Sequence, residues 1–326
     1  MEYRPPADSD LILCSPAGIH VYNTARFLAA SNVSVLIYGE SGVGKSRLAE
    51  VIQTREPFVR VDCNAIPAEL FASELFGYMP NAFTGASNKR KIGLLEAANH
   101  GTILFDEVDG LSLENQVLLL HFLQNQTIIP LGALESRKIE ARVISTAGRD
   151  PQEMIREGAF RQDLYYRLCV SRIHIPPLRE RREAIPPLIL HFIRKYAREY
   201  GVDPDQISLS QAQMAQLTAL DWMGNVREVE NFAQQLCFWG DTPEGVEECI
   251  RQVSQSIQYQ ELDHTPPSSQ SPPGHKPLRQ ALREFEASYL QAVLSETPDL
   301  HTAARELGIS LRTLLKKRAE FGLERR

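Results

Sequence analysis

The apolar positions of the chain fall into short solid runs separated by longer stretches with helical spacing. Residues 33–38, 58–61, 102–105 and 142–146 have the length and composition of buried strands. Residues 19–30, 47–53, 68–76, 92–99 and 113–125 repeat their apolar positions as a helix does. Residues 77–90 read as a loop, and 127–141 as a hairpin with Gly132 near its turn. Strands alternating with helices predict an α/β fold with a parallel sheet, and a parallel sheet places its site at the C-terminal ends of its strands. From Arg181 the pattern becomes helical only, over 182–200, 210–219 and 226–238. Residues 263–277, DHTPPSSQSPPGHKP, have the composition of a flexible linker, and 278–323 are again helical. The expected segments are an α/β domain at 1–180, a small helical domain at 181–258, a linker at 259–277 and a third unit at 278–326.

Composition narrows the class. The 326 residues are 43% hydrophobic and 23% charged, enough to bury a sizeable core. The net charge of −6 excludes general attraction to polyanions, so any nucleic-acid contact needs a local patch. Cys14, Cys63, Cys169, Cys237 and Cys249 are odd in number and scattered, which argues against a disulfide framework or zinc site and fits a reducing, cytoplasmic compartment. No apolar run is long enough to span a bilayer, and Met1-Glu2-Tyr3-Arg4-Pro5-Pro6 has no signal-peptide pattern.

The chemistry concentrates in two places. Gly39-Glu40-Ser41-Gly42-Val43-Gly44-Lys45-Ser46 stands between a strand and a helix, the setting a phosphate-binding loop requires. Its glycines let backbone N–H groups converge, and the following helix adds partial positive charge. Lys45 can reach β- and γ-phosphates, and the Ser46 hydroxyl can ligate Mg²⁺. Asp106-Glu107 ends the third strand and reads as a Walker B element. Asp106 would hold Mg²⁺, partly through water, and Glu107 would orient or deprotonate an attacking water. A nucleoside triphosphate, ATP, with Mg²⁺ is the expected ligand.

At this point the chain resembles the AAA+ domain of bacterial sigma-54-dependent transcription activators. The resemblance rests on GESGVGKS at 39–46, SELFG at 73–77, NAFTGA at 81–86, GTILFDEVD at 101–109, FRQDLYYRL at 160–168, PPLRER at 176–181 and GNVREVEN at 224–231. It implies that 1–180 is the nucleotide-binding α/β part of an AAA+ domain and 181–258 its helical lid. It further implies that Phe83, Thr84 and Gly85 contact sigma-54, that Arg161 and Arg167 serve a neighbouring subunit's ATP, and that Arg227 links nucleotide state to lid position. An exposed aromatic among small residues is a plausible contact anchor, although Phe83 read locally fits equally well in its own core.

Three features depart from the family pattern. Asp62 stands where an asparagine usually holds the catalytic glutamate, and an aspartate facing Glu107 would repel it or one of the two carboxyls would take up a proton. Ala147 and Gly148 replace the usual Thr-Asn of sensor I, leaving Thr146 as the available substitute. Asn81 replaces a glycine at a turn, which asparagine tolerates by entering the left-handed region. The Asp62 and sensor I departures, with a short segment between the phosphate loop and Phe58, predict a divergent, slow ATPase, whereas Asn81 bears on the strength of sigma-54 coupling.

Residues 300–307 and 311–319 read as two helices joined by Gly308-Ile309-Ser310, with the small pair Ala303-Ala304 and a capping serine. Residues 301–326 hold seven basic and three acidic side chains, a local +4. Ser310, Arg312, Thr313, Lys316 and Lys317 lie on or near the second helix, where they can meet a major groove and its phosphates. This unit resembles a Fis-type helix-turn-helix, with 278–294 as the helix that pairs two readers. The resemblance implies an activator that binds upstream double-stranded DNA, assembles as a homo-oligomeric ring (a hexamer, alone or mixed with a paralogue) and remodels the sigma-54 RNA polymerase closed complex. With no room before the phosphate loop for a regulatory domain, control by a partner in trans is expected. The alternative is an AAA+-like DNA-binding regulator that does not remodel sigma-54.

Overall fold

The computed structural model describes residues 15–82, 88–240 and 242–264, and, in the C-terminal unit, 287, 289–290, 293–294, 297 and 300–321. The chain divides into two compact units, 1–262 and 263–326.

The first unit is built on five parallel strands: β1 (Val35–Tyr38), β2 (Phe58–Asp62), β5 (Thr102–Asp106), β8 (Arg142–Ala147) and β9 (Ser171–His174), in the order β2-β5-β8-β1-β9. The central strands β1, β5 and β8 are almost wholly buried because helices cover both faces. On one face lie α1 (Pro16–Ala29) and α2 (Lys45–Ile52), packing Ala25, Leu48 and Ile52 against Val35, Ile37 and Ile144. The other face carries α3 (Phe71–Phe76), α4 (Leu94–Ala97), α5 (Leu113–Asn125), α6 (Pro151–Arg156) and α7 (Gln162–Leu168) around Phe71, Phe105, Phe122 and Leu164. Each such side chain taken from water contributes roughly 1.5–3 kcal/mol. A buried arginine ties the layers together: Arg142 of β8 donates to the carbonyls of Leu28, Ala29 and Ile52, at the C-terminal ends of α1 and α2. Three acceptors and the negative helix ends there hold its charge without a carboxylate.

The strands at 33–38, 58–61, 102–105 and 142–146 all form, each within two residues of its expected bounds, and α5 matches 113–125. Strand β9 was not expected; it is a short edge strand, SRIH, with only Ile173 buried, so it carries no apolar run. The segment expected as a loop at 77–90, of which 83–87 lie outside the described residues, begins in a small antiparallel ladder, β3 (Gly77–Tyr78) with β4 (Lys91–Ile92). A second one, β6 (Thr127–Ile128) with β7 (Arg137–Lys138), closes the expected hairpin. The two are joined, since Met79 N–H donates to Leu131 O at 2.9 Å and Leu131 N–H to Gly77 O at 2.9 Å. Asn81 takes the left-handed conformation, φ 57°, as a glycine substitute must.

Helices α8 (Ile185–Tyr200), α9 (Gln211–Ala219), α10 (Asn225–Trp239) and α11 (Pro243–His264) pack around Phe192, Trp222 and Phe232. Helix α11 runs beyond the boundary expected at 258 and occupies the first residues assigned to the linker. The rest of that linker, 265–277, lies outside the described residues.

In the second unit, helices α12 (Leu300–Glu306) and α13 (Leu311–Phe321) are joined by a turn in which Gly308 has φ 65°. Ala303, Ala304 and Leu314 are buried together with Leu290 and Leu294. The Ser310 hydroxyl accepts from Thr313 N–H at 3.1 Å and caps the second helix.

Candidate active site

The glycine loop 39–44 leaves the C-terminal end of β1 and turns into α2. The loop and the strand ends beside it line a cleft of about 550 Å³ together with α8 and α10 of the lid. No atom lies within 4 Å of where a Cβ on Gly44 would stand, so the loop encloses open space. Lys45 is buried, and its ammonium donates to the carbonyls of Gly39 at 2.8 Å and Glu40 at 3.0 Å. Burial lowers its pKa, against the opposing pull of Asp109, Glu107 and Asp106. An ammonium hydrogen-bonded to carbonyls can exchange them for a phosphate.

The acid pair stands opposite. Parallel register sets Asp62 beside Asp106 and Phe105 beside Ser145, so three strand ends converge. Asp106 is buried. One carboxylate oxygen accepts from the Ser46 hydroxyl at 3.0 Å and from the Arg60 guanidinium, and the other accepts from the Thr146 hydroxyl. Thr146 Oγ1 in turn accepts from the Glu107 N–H at 2.9 Å. Glu107 itself has φ 58°, which turns its side chain out of the strand direction. Thr146 thus holds both acids, and Ala147 is buried in the core. The Gly148 N–H binds Asp109 Oδ2 at 2.8 Å.

The expected clash of Asp62 with Glu107 does not occur. Asp62 Oδ1 accepts the backbone N–H groups of Asn64 at 3.0 Å and Ala65 at 3.1 Å, which spends it on a local turn. That turn presents Asn64, whose side-chain N–H donates to Glu107 Oε2 at 2.5 Å. An asparagine two positions beyond Asp62 thus contacts Glu107.

The lid is latched to the loop. Glu40 accepts a two-pronged bond from Arg179 at 2.7 and 2.5 Å, and the Asn225 amide reaches both Glu40 Oε2 (3.2 Å) and Ser41 O (3.0 Å). Hydrogen bonding to Arg179 holds the Glu40 carboxyl below its ordinary range. The Val226 N–H donates to Gly42 O at 3.0 Å, and a Cβ on Gly42 would stand 2.3 Å from the Gly224 carbonyl. Arg227 donates to the Ser41 hydroxyl at 3.1 Å and Arg181 to Val43 O at 3.1 Å.

Not every expected residue is gathered here. Arg161 is paired with Asp163 and Arg167 is exposed, and neither lines the cleft of its own chain. Gln116 fixes the approach to Arg161, accepting its N–H at 2.9 Å while donating to the carbonyls of Leu111 and Ala159. Phe83, Thr84 and Gly85 lie outside the described residues. On α13, Thr313 and Lys316 are exposed and Lys317 is half-exposed, while the Arg312 side chain is not among those described.

A parallel sheet with a phosphate loop, an acid pair and a lid closing on that loop defines a nucleotide-binding AAA+ domain, here on the same chain as a helix-turn-helix. Residues 11–174 match the sigma-54 interaction domain, 179–266 an AAA+ ATPase lid domain, and 281–321 the bacterial regulatory protein Fis family. The regulatory protein AtoC of Escherichia coli K12 is 37% identical over 317 residues, covering 95% of this chain and 67% of that protein. The DNA-binding transcriptional regulator NtrC of Klebsiella pneumoniae is 35% identical over 339 residues, covering 97% of this chain and 71% of that one. Among solved structures, NtrX from Brucella abortus in complex with ATP superposes with a TM-score of 0.66 at 29% identity, covering 96% of this chain and 69% of that chain. NtrX has also been crystallised with ADP. The chain belongs to the sigma-54 activator family and carries that family's DNA-binding helix-turn-helix. Among the described residues, no helix is long and apolar enough to cross a membrane.

Proposed function

We propose that this chain is an ATP-driven transcription activator that binds upstream DNA and remodels the sigma-54 RNA polymerase closed complex. One observation carries the reading: the two acids of the cleft are complete and held, by Ser46 and Thr146 on Asp106 and by Asn64 on Glu107. The ammonium of Lys45 and the guanidinium of Arg227 neutralise the phosphates, and Glu107 orients the attacking water. Ser46 and Asp106 offer the oxygens that would hold Mg²⁺, and the Arg60 guanidinium lying against that pair supports a cation site there. Mg²⁺ held there would neutralise charge on the phosphates. Arg161 and Arg167, turned away from their own cleft, serve the ATP of the next subunit in a ring.

The cleft leads to the polymerase contact through a continuous piece of chain. Asn64, bonded to Glu107, opens the turn that runs into α3, and α3 passes directly into β3 and the 79–90 loop. A change at Glu107 is thereby delivered to the base of the loop carrying Phe83, Thr84 and Gly85. Ser310, Arg312, Thr313, Lys316 and Lys317 place the second unit on DNA.

ATP turnover measured against protein concentration tests the enzymatic half. The rate per subunit should rise through the assembly range and vanish in Lys45→Ala. A rate that is zero at every concentration, or flat through assembly, contradicts it.

A further inference from the structure

The cation site of the cleft has an occupant of its own. Arg60 projects from the edge strand β2, in register with Leu104 of β5, two residues before the Asp62–Asp106 pair. Its guanidinium donates to the buried Asp106 carboxylate, and the same nitrogen lies 3.3 Å from the Ser46 hydroxyl. Those two oxygens are 3.0 Å apart and are the ones a divalent cation bound beside the phosphates would use. Two cations cannot share that volume, and the carboxylate oxygen facing Ser46 cannot satisfy both at full strength. The Arg60 side chain is about half-exposed, 53% against 7% for Asp106, so it has solvent to retreat into while the acid does not. Serine, alanine or a small apolar side chain in its place would leave the pair to the metal alone.

We propose that Arg60 is a built-in competitor of the divalent cation, holding the Ser46–Asp106 pair until metal and nucleotide together displace it. The inference rests on the nucleotide reading above. Removing the guanidinium deletes one charge-assisted hydrogen bond from the metal-free state and nothing from the metal-bound one. Metal affinity should therefore rise about tenfold, the equivalent of one such bond after discount for solvent exposure. A long cationic side chain with a single point charge should compete less well than the planar fork of arginine.

The test is Mn²⁺ binding to the full chain with a non-hydrolysable ATP analogue, read by loss of the free Mn²⁺ paramagnetic resonance signal. Arg60→Ala is expected to bind Mn²⁺ about tenfold more tightly than the native chain, with Arg60→Lys between them. Arg60→Met, which keeps the aliphatic stem along β2, gives the same readout if the alanine variant is unstable. Equal or weaker Mn²⁺ affinity in Arg60→Ala and Arg60→Met, with the analogue still bound, overturns the competitor role alone. Failure of the native chain to bind the analogue at all overturns the nucleotide reading and this proposal with it.

Discussion

The Asn64 side-chain amide donates to the Glu107 carboxylate across 43 positions of sequence, and the geometry that permits it is narrow. Asn64 Oδ1 packs so closely on Gly110 that a Cβ there would stand 1.6 Å away. Asn64→Ala should lower the ATP turnover number about tenfold, as a base loses its orientation but not its position, with nucleotide affinity unchanged. Gly110→Ala should have the same effect by expelling Asn64. Asp62→Asn, whose oxygen can still accept the two backbone N–H groups, should stay within about twofold of the native rate. Steady-state kinetics paired with analogue binding separates these outcomes, and a larger loss in Asp62→Asn than in Asn64→Ala would reverse the assignment.

Thr146→Val keeps the shape of a buried side chain and removes its hydroxyl. It strips one hydrogen bond from Asp106 and leaves the Glu107 N–H without its acceptor. Stability should fall by about 2 kcal/mol, the cost of an unsatisfied buried group, and turnover should fall with it. Urea denaturation alongside the turnover assay checks both.

What could be read in advance divides along a physical line. The phosphate loop, the acid pair and the two C-terminal helices are contiguous, so residue type and spacing carry their chemistry. Thr146 could be named in advance as the substitute at sensor I, and its bonds to Asp106 and Glu107 fit that reading. Asn64, by contrast, reaches Glu107 only once β2 and β5 lie in register, and nothing local marks it. Asp62 misled for the same reason. Its identity suggested repulsion, but the turn it forms with the N–H groups of Asn64 and Ala65 directs it away from Glu107. Strand β9 was missed because an edge strand with one buried residue has no apolar run. Arg60 carries no signal in the sequence because its partners, Ser46 and Asp106, stand on other elements.

The lid latch should weaken in acid. The folded-state pKa of Glu40 is depressed by Arg179, so its contribution is complete above its ordinary value of 4.5 and is lost as pH falls through the lower folded value. The thermal midpoint of the native chain should therefore drop more steeply below pH 4.5 than that of Arg179→Met, which has no pair to lose. Parallel curves would remove the latch from the account.

Arg142→Met should destabilise the first unit by about 3 kcal/mol, because three helix-end carbonyls lose their donor in a buried place. Denaturant unfolding measures it. A neutral result would mean that water replaces the guanidinium.

The most direct test of the whole is open-complex formation on a sigma-54 promoter with purified polymerase, upstream DNA and ATP, comparing the native chain with Lys45→Ala and Thr84→Ala. The account predicts open complexes with the native chain and none with either variant, Thr84→Ala failing while still hydrolysing ATP. Identical behaviour of all three proteins would contradict it and leave the DNA-binding regulator that does not remodel sigma-54.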